Sequence, residues 1–517
     1  MFMGKKRYIK DNNLVIDKVV FLGSLFLVVG LSLPMLIFGK VGELFLTNVA
    51  DLLTYNFGFF NILIGLFAIL ICIYLCTSKY GNIIFGDEDD LPEYNTFSWA
   101  TMMFCAGIGS SVMYWGILEW ISYYTIPPFV MEPKSWQAAE FAAAYGIFHW
   151  GPIGWALYVI PSLPIGYCYY IKKENAFKIS KALKPILKDQ SDKLLGRSID
   201  ILFIFSSMGA CATSLGLCVP MVARGISEIF NIEVSQNLNL VILLIIVFIF
   251  TLSSYFGLKK GIQILSNINV SIVFGILLFV FITGPTLFMT KMGITSVGII
   301  AQNFFRMSTW LDPINNSGFP ENWTVFYWGW WIISAPIIGM FIAKISKGRT
   351  VKQVILGALI YGTLGCALVF MTLGNYGIYL QVSNTFDVVG YLNTFGANAT
   401  IFKILGMLKL GKVIIILFTI GAMIFAATTF DSISYIIAST TTKYLNENQE
   451  PARWNRLFWA LLLAFIPAIF ILIDGPLKTI QSASRIVVVP GIIVIILLTI
   501  SFFKMVKDKD YKTRKKI

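Results

Sequence analysis

Apolar runs of membrane-spanning length recur along this 517-residue chain and constrain its fold more than any other feature. A helix needs about 20 apolar residues to cross about 30 Å of hydrocarbon. Twelve runs approach or exceed that length, at 15–38, 57–77, 97–124, 145–171, 198–222, 239–257, 270–290, 323–345, 354–375, 413–439, 456–473 and 487–506. Because a helix satisfies its own backbone groups inside the bilayer, these runs predict an all-α integral membrane protein with twelve transmembrane helices.

The composition excludes a soluble globular protein, since 57% of the residues are hydrophobic, 13% are charged and the mean hydropathy is +0.76. The net charge of +13 would suit nucleic acid, but most Lys and Arg fall in alternate loops and in both tails. This distribution follows the positive-inside rule and predicts that both termini are cytoplasmic. The basic residues therefore orient the chain in the lipid bilayer of the cell membrane, and we expect no nucleic-acid partner.

The residue types that enzymes use are scarce here. The seven Cys lie mostly inside the predicted spans and form no CxxC pair, which indicates buried small side chains rather than metal ligands or disulfides. His149 is the only histidine, so a Ser–His or metal-assisted mechanism has little material. We expect no enzymatic activity, and we interpret His149 as a hydrogen-bonded structural residue rather than a proton carrier.

An aromatic run from Asn322 to Trp331 places four tryptophans within nine residues at the start of one predicted span. Interfacial anchoring normally uses only one or two such rings at a helix end. The span continues through Pro336 and Gly339, which is typical of a helix that lines a cavity at membrane depth. Because a quaternary ammonium has no N–H to donate and binds to ring faces, the run predicts a site for such a cation.

A second aromatic group lies in the fourth predicted span. On a regular helix Trp155 and Tyr158 would lie about 60° apart, with Trp150 within about 140° of Trp155, so that one broad face holds all three rings. Pro152 and the glycines on either side of it predict a bend here. An aromatic stripe that belongs to the core or the membrane interface is the alternative.

The run from Asn322 to Trp331, followed by Phe341 to Thr350, resembles the signature of the betaine/choline/carnitine transporter (BCCT) family. The resemblance continues over most of the chain. The spacing Trp150-x4-Trp155-x2-Tyr158 matches the aromatic box of that family, which the resemblance completes with Trp330 and Trp331. It implies two inverted five-helix repeats of the neurotransmitter–sodium-symporter type (a LeuT-like fold) after two N-terminal helices, and a homotrimer.

This interpretation divides the chain into six parts. They are a cytoplasmic N-tail at 1–14, two N-terminal transmembrane helices at 15–96, a first five-helix repeat at 97–292, an external interfacial helix and loop at 293–322, a second repeat at 323–506 and a short basic cytoplasmic tail at 507–517. The segment 293–310 is amphipathic, which favours a position along the membrane surface. Each repeat is expected to open with an interrupted helix.

The resemblance also implies where a carboxylate and a coupling sodium ion bind. Gly107 and Gly109 belong to a small-residue stretch of the third span, interpreted as an unwound segment whose amides meet a carboxylate; close helix packing is the alternative. The sodium ligands implied by the family pattern Phe-x2-Thr-Ser/Thr and by carbonyls of the third span are Cys105, Ile108, Phe425, Thr428 and Thr429.

Two further polar residues bear on the ion. Sodium-independent carnitine exchangers of the family have an arginine where Asn269 stands, and its absence here favours a real sodium ion. Asp431 is an acid within a predicted span and is therefore a functional candidate, with structural hydrogen bonding as the alternative.

The sequence thus predicts a secondary transporter for a quaternary ammonium compound such as glycine betaine, choline or carnitine, driven by sodium symport. Sodium-independent exchange of one such compound for another is the closest alternative. A membrane receptor that binds quaternary amines without transport is a third, and an integral-membrane enzyme is the least favoured.

Overall fold

The structure is a computed structural model that describes residues 15–87, 89–107, 109–174, 178–256, 261–445, 449–472, 482 and 485–514. At some of these residues, including Cys105, Gly107 and Ser110, it describes only the backbone. The predicted N-tail at 1–14, the last three residues of the C-tail and the predicted ligand Ile108 lie outside the described residues.

The described residues are overwhelmingly helical, with strand-like pairing limited to isolated bridges such as Ile16 with Thr442 and Ile84 with Thr350. Apolar runs and in-helix hydrogen bonds explain this, since the backbone groups must be satisfied within each segment. The helices are α1 (Lys18–Phe38), α2 (Lys40–Thr77), α3 (Thr96–Gly107), α4 (Ser110–Thr125), α5 (Trp136–His149), α6 (Pro152–Gly166), α7 (Ile179–Ala182), α8 (Lys184–Leu187), α9 (Leu194–Phe230), α10 (Gln236–Phe256), α11 (Gly261–Thr283), α12 (Thr286–Thr309), α13 (Phe326–Ile345), α14 (Val351–Gly357), α15 (Thr363–Val369), α16 (Asn375–Val382), α17 (Val388–Phe395), α18 (Ala397–Gly406), α19 (Gly411–Thr440), α20 (Arg453–Leu472) and α21 (Val488–Arg514).

Within the described residues, six helical segments are long and apolar enough to cross a membrane, and a seventh arises when one bent pair is taken as a span. Every predicted apolar run contains helix, and shorter apolar helices fall at Lys18–Gly30 and Gln236–Leu252. The all-helical membrane fold is therefore confirmed, whereas the count of twelve spans and the two inverted repeats stay predictions.

The predicted interruption of the third span is confirmed, because α3 ends at Gly107 and α4 begins only at Ser110, with Gly109 in an extended conformation. The bend before Pro152 is also confirmed: α5 ends at His149, and Trp150 and Gly151 lie outside helical geometry. These breaks leave helix-terminal amides without intrahelical partners.

The expectation that the second repeat also opens with an interrupted helix is wrong. One turn of π-helix at Pro320–Val325 leads into α13, which continues unbroken past Pro336 to Ile345. Gly339 serves close packing instead, since a Cβ there would come within 3.0 Å of Pro161 on α6. Proline removes one helical hydrogen bond, and the tight contact with α6 stabilises the helix around it.

The predicted interfacial segment 293–310 lies in α12 as far as Thr309, and Trp310 caps the helix. The axis turns by 110° between Asn267–Thr283 and Thr286–Thr309. Such a turn carries the chain out of the direction of α11, as an interfacial helix requires. α12 packs on α5 and α16.

Candidate functional site

The five predicted box residues form one continuous ring cluster where α6 crosses α13. The ring centroid of Trp331 lies 4.4 Å from that of Tyr158 and 5.9 Å from that of Trp155. Trp150 lies 5.7 Å from Trp331 and 6.1 Å from Trp330, both in edge-to-face geometry. Centroid separations of 4.5–7 Å are those of interacting aromatic pairs, so these rings stabilise one another and form an electron-rich region.

Glycine at position 154 makes this cluster possible. A Cβ at Gly154 would overlap the indole ring of Trp331, so only glycine lets that ring lie on the backbone of α6. Trp155, the next residue, is fully buried, and Trp331 is 4% exposed. The local sequence Gly154-Trp155 therefore places one ring of the box and makes room for another.

A buried carboxylate positions two of the rings. Glu119 on α4 is fully buried, and its Oε2 accepts hydrogen bonds from the Trp150 indole N–H at 2.9 Å and from the Tyr327 hydroxyl at 2.7 Å. Its Oε1 accepts a third from the hydroxyl of Tyr123. Charge-assisted bonds of this kind are about twice as strong as neutral ones, so Glu119 fixes the orientation of Trp150.

His149 connects the same network to α13, which confirms that it is a hydrogen-bonded residue. Its Nδ1 lies 2.7 Å from the Tyr123 hydroxyl and its Nε2 lies 3.1 Å from the Thr324 hydroxyl. Its backbone carbonyl accepts a hydrogen bond from the indole N–H of Trp331 at 3.1 Å. His149 is thus the last residue of α5, next to the helix break, and it also binds the ring of Trp331.

Sequence reasoning missed Glu119 and Tyr327 as parts of the site. Tyr327 lies 5.6 Å from Trp150 and is nearly parallel to Trp330, with ring centroids 6.4 Å apart. The signal for Tyr327 was its place one turn before Trp331 in the aromatic run. Glu119 is an acid within a predicted span, which is the feature that made Asp431 a functional candidate, so the same reasoning could have found it.

The predicted carboxylate-binding stretch lies at the break between α3 and α4. Gly109 is extended, and its carbonyl accepts hydrogen bonds from the amides of Val112 and Met113 in the first turn of α4. The break therefore presents the N-terminus of α4, the end of a helix that favours negative charge. Gly107 is the last residue of α3.

The predicted sodium ligands Phe425, Thr428 and Thr429 share one turn of α19. Both threonines are half-buried. The Thr428 hydroxyl donates to the carbonyls of Ile424 at 2.9 Å and Phe425 at 3.2 Å, which leaves its oxygen lone pairs directed away from the backbone. Neutral oxygens in that arrangement suit a hard monovalent cation. Cys105, the other described member of the set, lies in the last turn of α3.

Asn269 on α11 contacts the same part of α19. In the orientation that satisfies both groups, its amide N–H donates to the Gly421 carbonyl at 3.1 Å, and its oxygen accepts from the Phe425 amide at 3.2 Å. These two backbone groups are four residues apart, the spacing of an α-helical hydrogen bond. The Met113 side chain of α4 also reaches this turn, 3.8 Å from the Cβ position of Gly421. The turn before the threonines is thus supported from two helices.

Asp431 forms a buried ion pair rather than an isolated acid. Its Oδ1 lies 3.3 Å from the Arg456 guanidinium of α20, and both side chains are at most 2% exposed. Arg456 and Lys344 also approach the ring of Tyr435, at 5.3 and 3.9 Å. An ion pair of this kind fits the structural alternative for Asp431.

Comparison with known protein families gives one match. The sequence model of the family described as BCCT, betaine/carnitine/choline family transporter, matches residues 19–511. The carnitine transporter of Acinetobacter baumannii is 33% identical over 446 residues, covering 86% of this chain and 80% of that protein. The ectoine/hydroxyectoine transporter of Virgibacillus pantothenticus is 31% identical, covering 97% and 98%. The glycine betaine transporter OpuD of Bacillus subtilis is 31% identical, covering 95% of each.

Proposed function

Because this chain belongs to the betaine/carnitine/choline family of transporters, we propose that it takes up a quaternary ammonium compound across the plasma membrane by sodium symport. Glycine betaine, choline and carnitine are the candidate substrates. In this proposal both termini are cytoplasmic, the protein works as a homotrimer, and substrate and ion cross by alternating access.

The observation that carries the proposal is the ring cluster of Trp150, Trp155, Tyr158, Trp330 and Trp331 at the crossing of α6 and α13. A trimethylammonium group presents methyl hydrogens that carry its positive charge, and ring faces are the groups that attract it without hydrogen bonds. Because the rings contact one another, the substrate must replace ring contacts when it binds. The buried carboxylate of Glu119 behind Trp150 adds negative potential to the same place.

Sodium is proposed as the coupling ion because α19 offers the Phe425 carbonyl and the Thr428 and Thr429 hydroxyls on one turn. Moving one charge through 100 mV supplies about 2.3 kcal/mol, and a tenfold gradient supplies about 1.4 kcal/mol. Two ions would therefore supply about 7.4 kcal/mol, enough for about 10⁵-fold accumulation of a zwitterion.

Uptake into proteoliposomes of the purified protein tests the proposal. Labelled glycine betaine, choline, carnitine and ectoine are offered with an inward sodium gradient, and in parallel with potassium in place of sodium. We expect accumulation of at least one quaternary compound above its outside concentration, only with sodium. Equal uptake in both buffers after preloading with unlabelled substrate would favour exchange, and saturable binding without uptake would favour a receptor.

A further inference from the structure

A buried pair of charges follows the predicted sodium ligands directly on α19. Asp431 lies three residues after Thr428, which is nearly one helical turn and about 60° around the helix axis. Side chains at this spacing have Cβ atoms about 5–6 Å apart. The Oδ1 atom of Asp431 lies 3.3 Å from the Arg456 guanidinium of α20, and both side chains are at most 2% exposed. A carboxylate and a fixed cation therefore lie close to the oxygens that are proposed to bind sodium.

Arg456 has two acidic neighbours, and they differ in burial. Its Nη1 atom lies 3.5 Å from the carboxylate of Glu450, whose side chain is 48% exposed. Water screens a half-exposed charge, so Glu450 contributes little inside the protein. Lys344 of α13 also reaches this region, with its ammonium 3.9 Å from the centre of the Tyr435 ring, but its side chain is exposed to solvent. Asp431 is therefore the buried partner that neutralises Arg456.

The charge of Arg456 matters for a cation that binds nearby. At the effective dielectric constant of about 20 that applies in proteins, two unit charges about 8 Å apart interact strongly enough to change an affinity about thirtyfold. With the ion pair intact, the fields of Asp431 and Arg456 largely cancel at the neighbouring turn. Without the carboxylate, the guanidinium would repel sodium from the Thr428 and Thr429 hydroxyls.

We propose that Asp431 sets the sodium affinity of this transporter without binding the ion, by neutralising Arg456 beside the predicted ion-binding turn of α19. The inference rests on the proposed function, because it takes that turn as the place where sodium binds. The alternative is a pair that only joins α19 to α20, two helices that pack against each other. The two interpretations differ in sign. An electrostatic pair predicts opposite changes in sodium affinity when either charge is removed, whereas a structural pair predicts the same loss for both.

The test measures sodium binding to purified full-length protein in choline-free buffer, with potassium keeping the ionic strength constant. Intrinsic tryptophan fluorescence gives the sodium Kd, and the rise of the unfolding temperature with added sodium gives an independent measure. Asp431→Asn should raise the sodium Kd about tenfold or more, because Arg456 is no longer neutralised. Arg456→Gln should lower it about three- to tenfold, because the Asp431 carboxylate is then uncompensated. The double variant, which is neutral at both positions, should bind sodium within about threefold of wild type.

Glu450→Gln is the matched control, since it breaks the other ion pair of the same guanidinium at a half-exposed position; the sodium Kd should change less than about twofold. If Asp431→Asn and Arg456→Gln shift the Kd in the same direction, or if the double variant binds sodium as weakly as Asp431→Asn, the pair is structural and the inference is wrong. An effect of Glu450→Gln as large as that of Asp431→Asn overturns it as well. If Asp431→Asn does not fold, Arg456→Gln decides alone, and an unchanged or higher Kd overturns the inference. A wild-type protein that does not respond to sodium in either measurement would instead refute the proposed sodium coupling, and the role of Asp431 with it.

Discussion

The aromatic box and the predicted sodium site differ in how tightly the helices that carry them pack against each other. Four of the five box residues lie on one tightly packed pair, α6 and α13, where Gly154 and Gly339 let the backbones and rings come into contact, and Trp150 lies in the break just before α6. The predicted ion ligands are divided between the end of α3 and the turn of α19 that contains Phe425. A site divided in this way is complete only when the two elements are close, so an ion bound there would favour one arrangement of the helices.

This difference implies that ring substitutions should change substrate affinity directly, whereas substitutions at the turn of α19 should change the response to sodium. It also implies that residues behind the rings should have the largest effects, because the box depends on buried hydrogen bonds that a ligand cannot replace.

The largest effect is expected at Glu119. Glu119→Leu leaves the donors of Trp150 and Tyr327 without their acceptor, and each unsatisfied buried donor costs about 1–3 kcal/mol, whereas the Tyr123 hydroxyl can still donate to Nδ1 of His149. Binding of the substrate should weaken by about a hundredfold or more. Glu119→Gln keeps one accepting oxygen and should lose only about tenfold. Kd values and thermal stability are measured together; a Leu variant that binds within threefold of wild type would show that the box does not depend on this carboxylate.

At the rings themselves the effect should be smaller. Trp331→Leu removes the ring that contacts Tyr158, Trp155 and Trp150, and a cation–π contact contributes about 0.5–2 kcal/mol. The substrate Kd should rise about three- to thirtyfold while the sodium affinity changes less. Trp136→Leu is the control, since Trp136 is 69% exposed on α5 and lies outside the cluster. If uncharged tert-butyl analogues bind wild type as tightly as the cation, the cation–π explanation fails.

The sequence predicts the features that depend on local patterns and misses those that depend on contacts between distant residues. Helix content and the break at Gly109 follow from local patterns, namely apolar runs and small residues, and the choice of the box residues follows from the resemblance of the Trp-x4-Trp-x2-Tyr spacing to the family pattern. The hydrogen bonds of Glu119 and the support of Phe425 by Asn269 join residues far apart in the chain, and spacing carries no signal for such pairs.

One local pattern was misleading for the same reason. Pro336 and Gly339 in an apolar run indicate a broken helix, yet α13 is continuous because α6 packs against it at Gly339. Tertiary contact decides whether a glycine interrupts a membrane helix or lets a neighbour approach, and a single sequence does not contain that contact.

At the turn of α19, single substitutions should weaken sodium rather than substrate. Thr428→Ala or Thr429→Ala removes one neutral oxygen, which should lower the apparent sodium affinity about three- to tenfold, a loss of about 1 kcal/mol. Thr419→Ala is the matched control, because its hydroxyl makes the same type of bond, to the Ile415 carbonyl at 2.7 Å, elsewhere on α19. Uptake is measured against sodium concentration. Equal sodium curves for the three variants would place the ion elsewhere.

The smallest effect is expected at Asn269, which supports the ion turn without being one of the predicted ligands. Asn269→Ala removes the hydrogen bonds to the Gly421 carbonyl and the Phe425 amide. These two groups lie at helical spacing and can still pair with each other, so the loss should be partial, about two- to threefold in apparent sodium affinity. Asn269→Asp keeps the accepting oxygen but loses the donor, and should lie between wild type and Ala if the contact with the Phe425 amide matters more. Sodium-dependent uptake measured on the three proteins decides this. An Ala variant that alters substrate Kd more than sodium affinity would mean that α11 supports the box, and the proposed separation of the two sites would then be wrong.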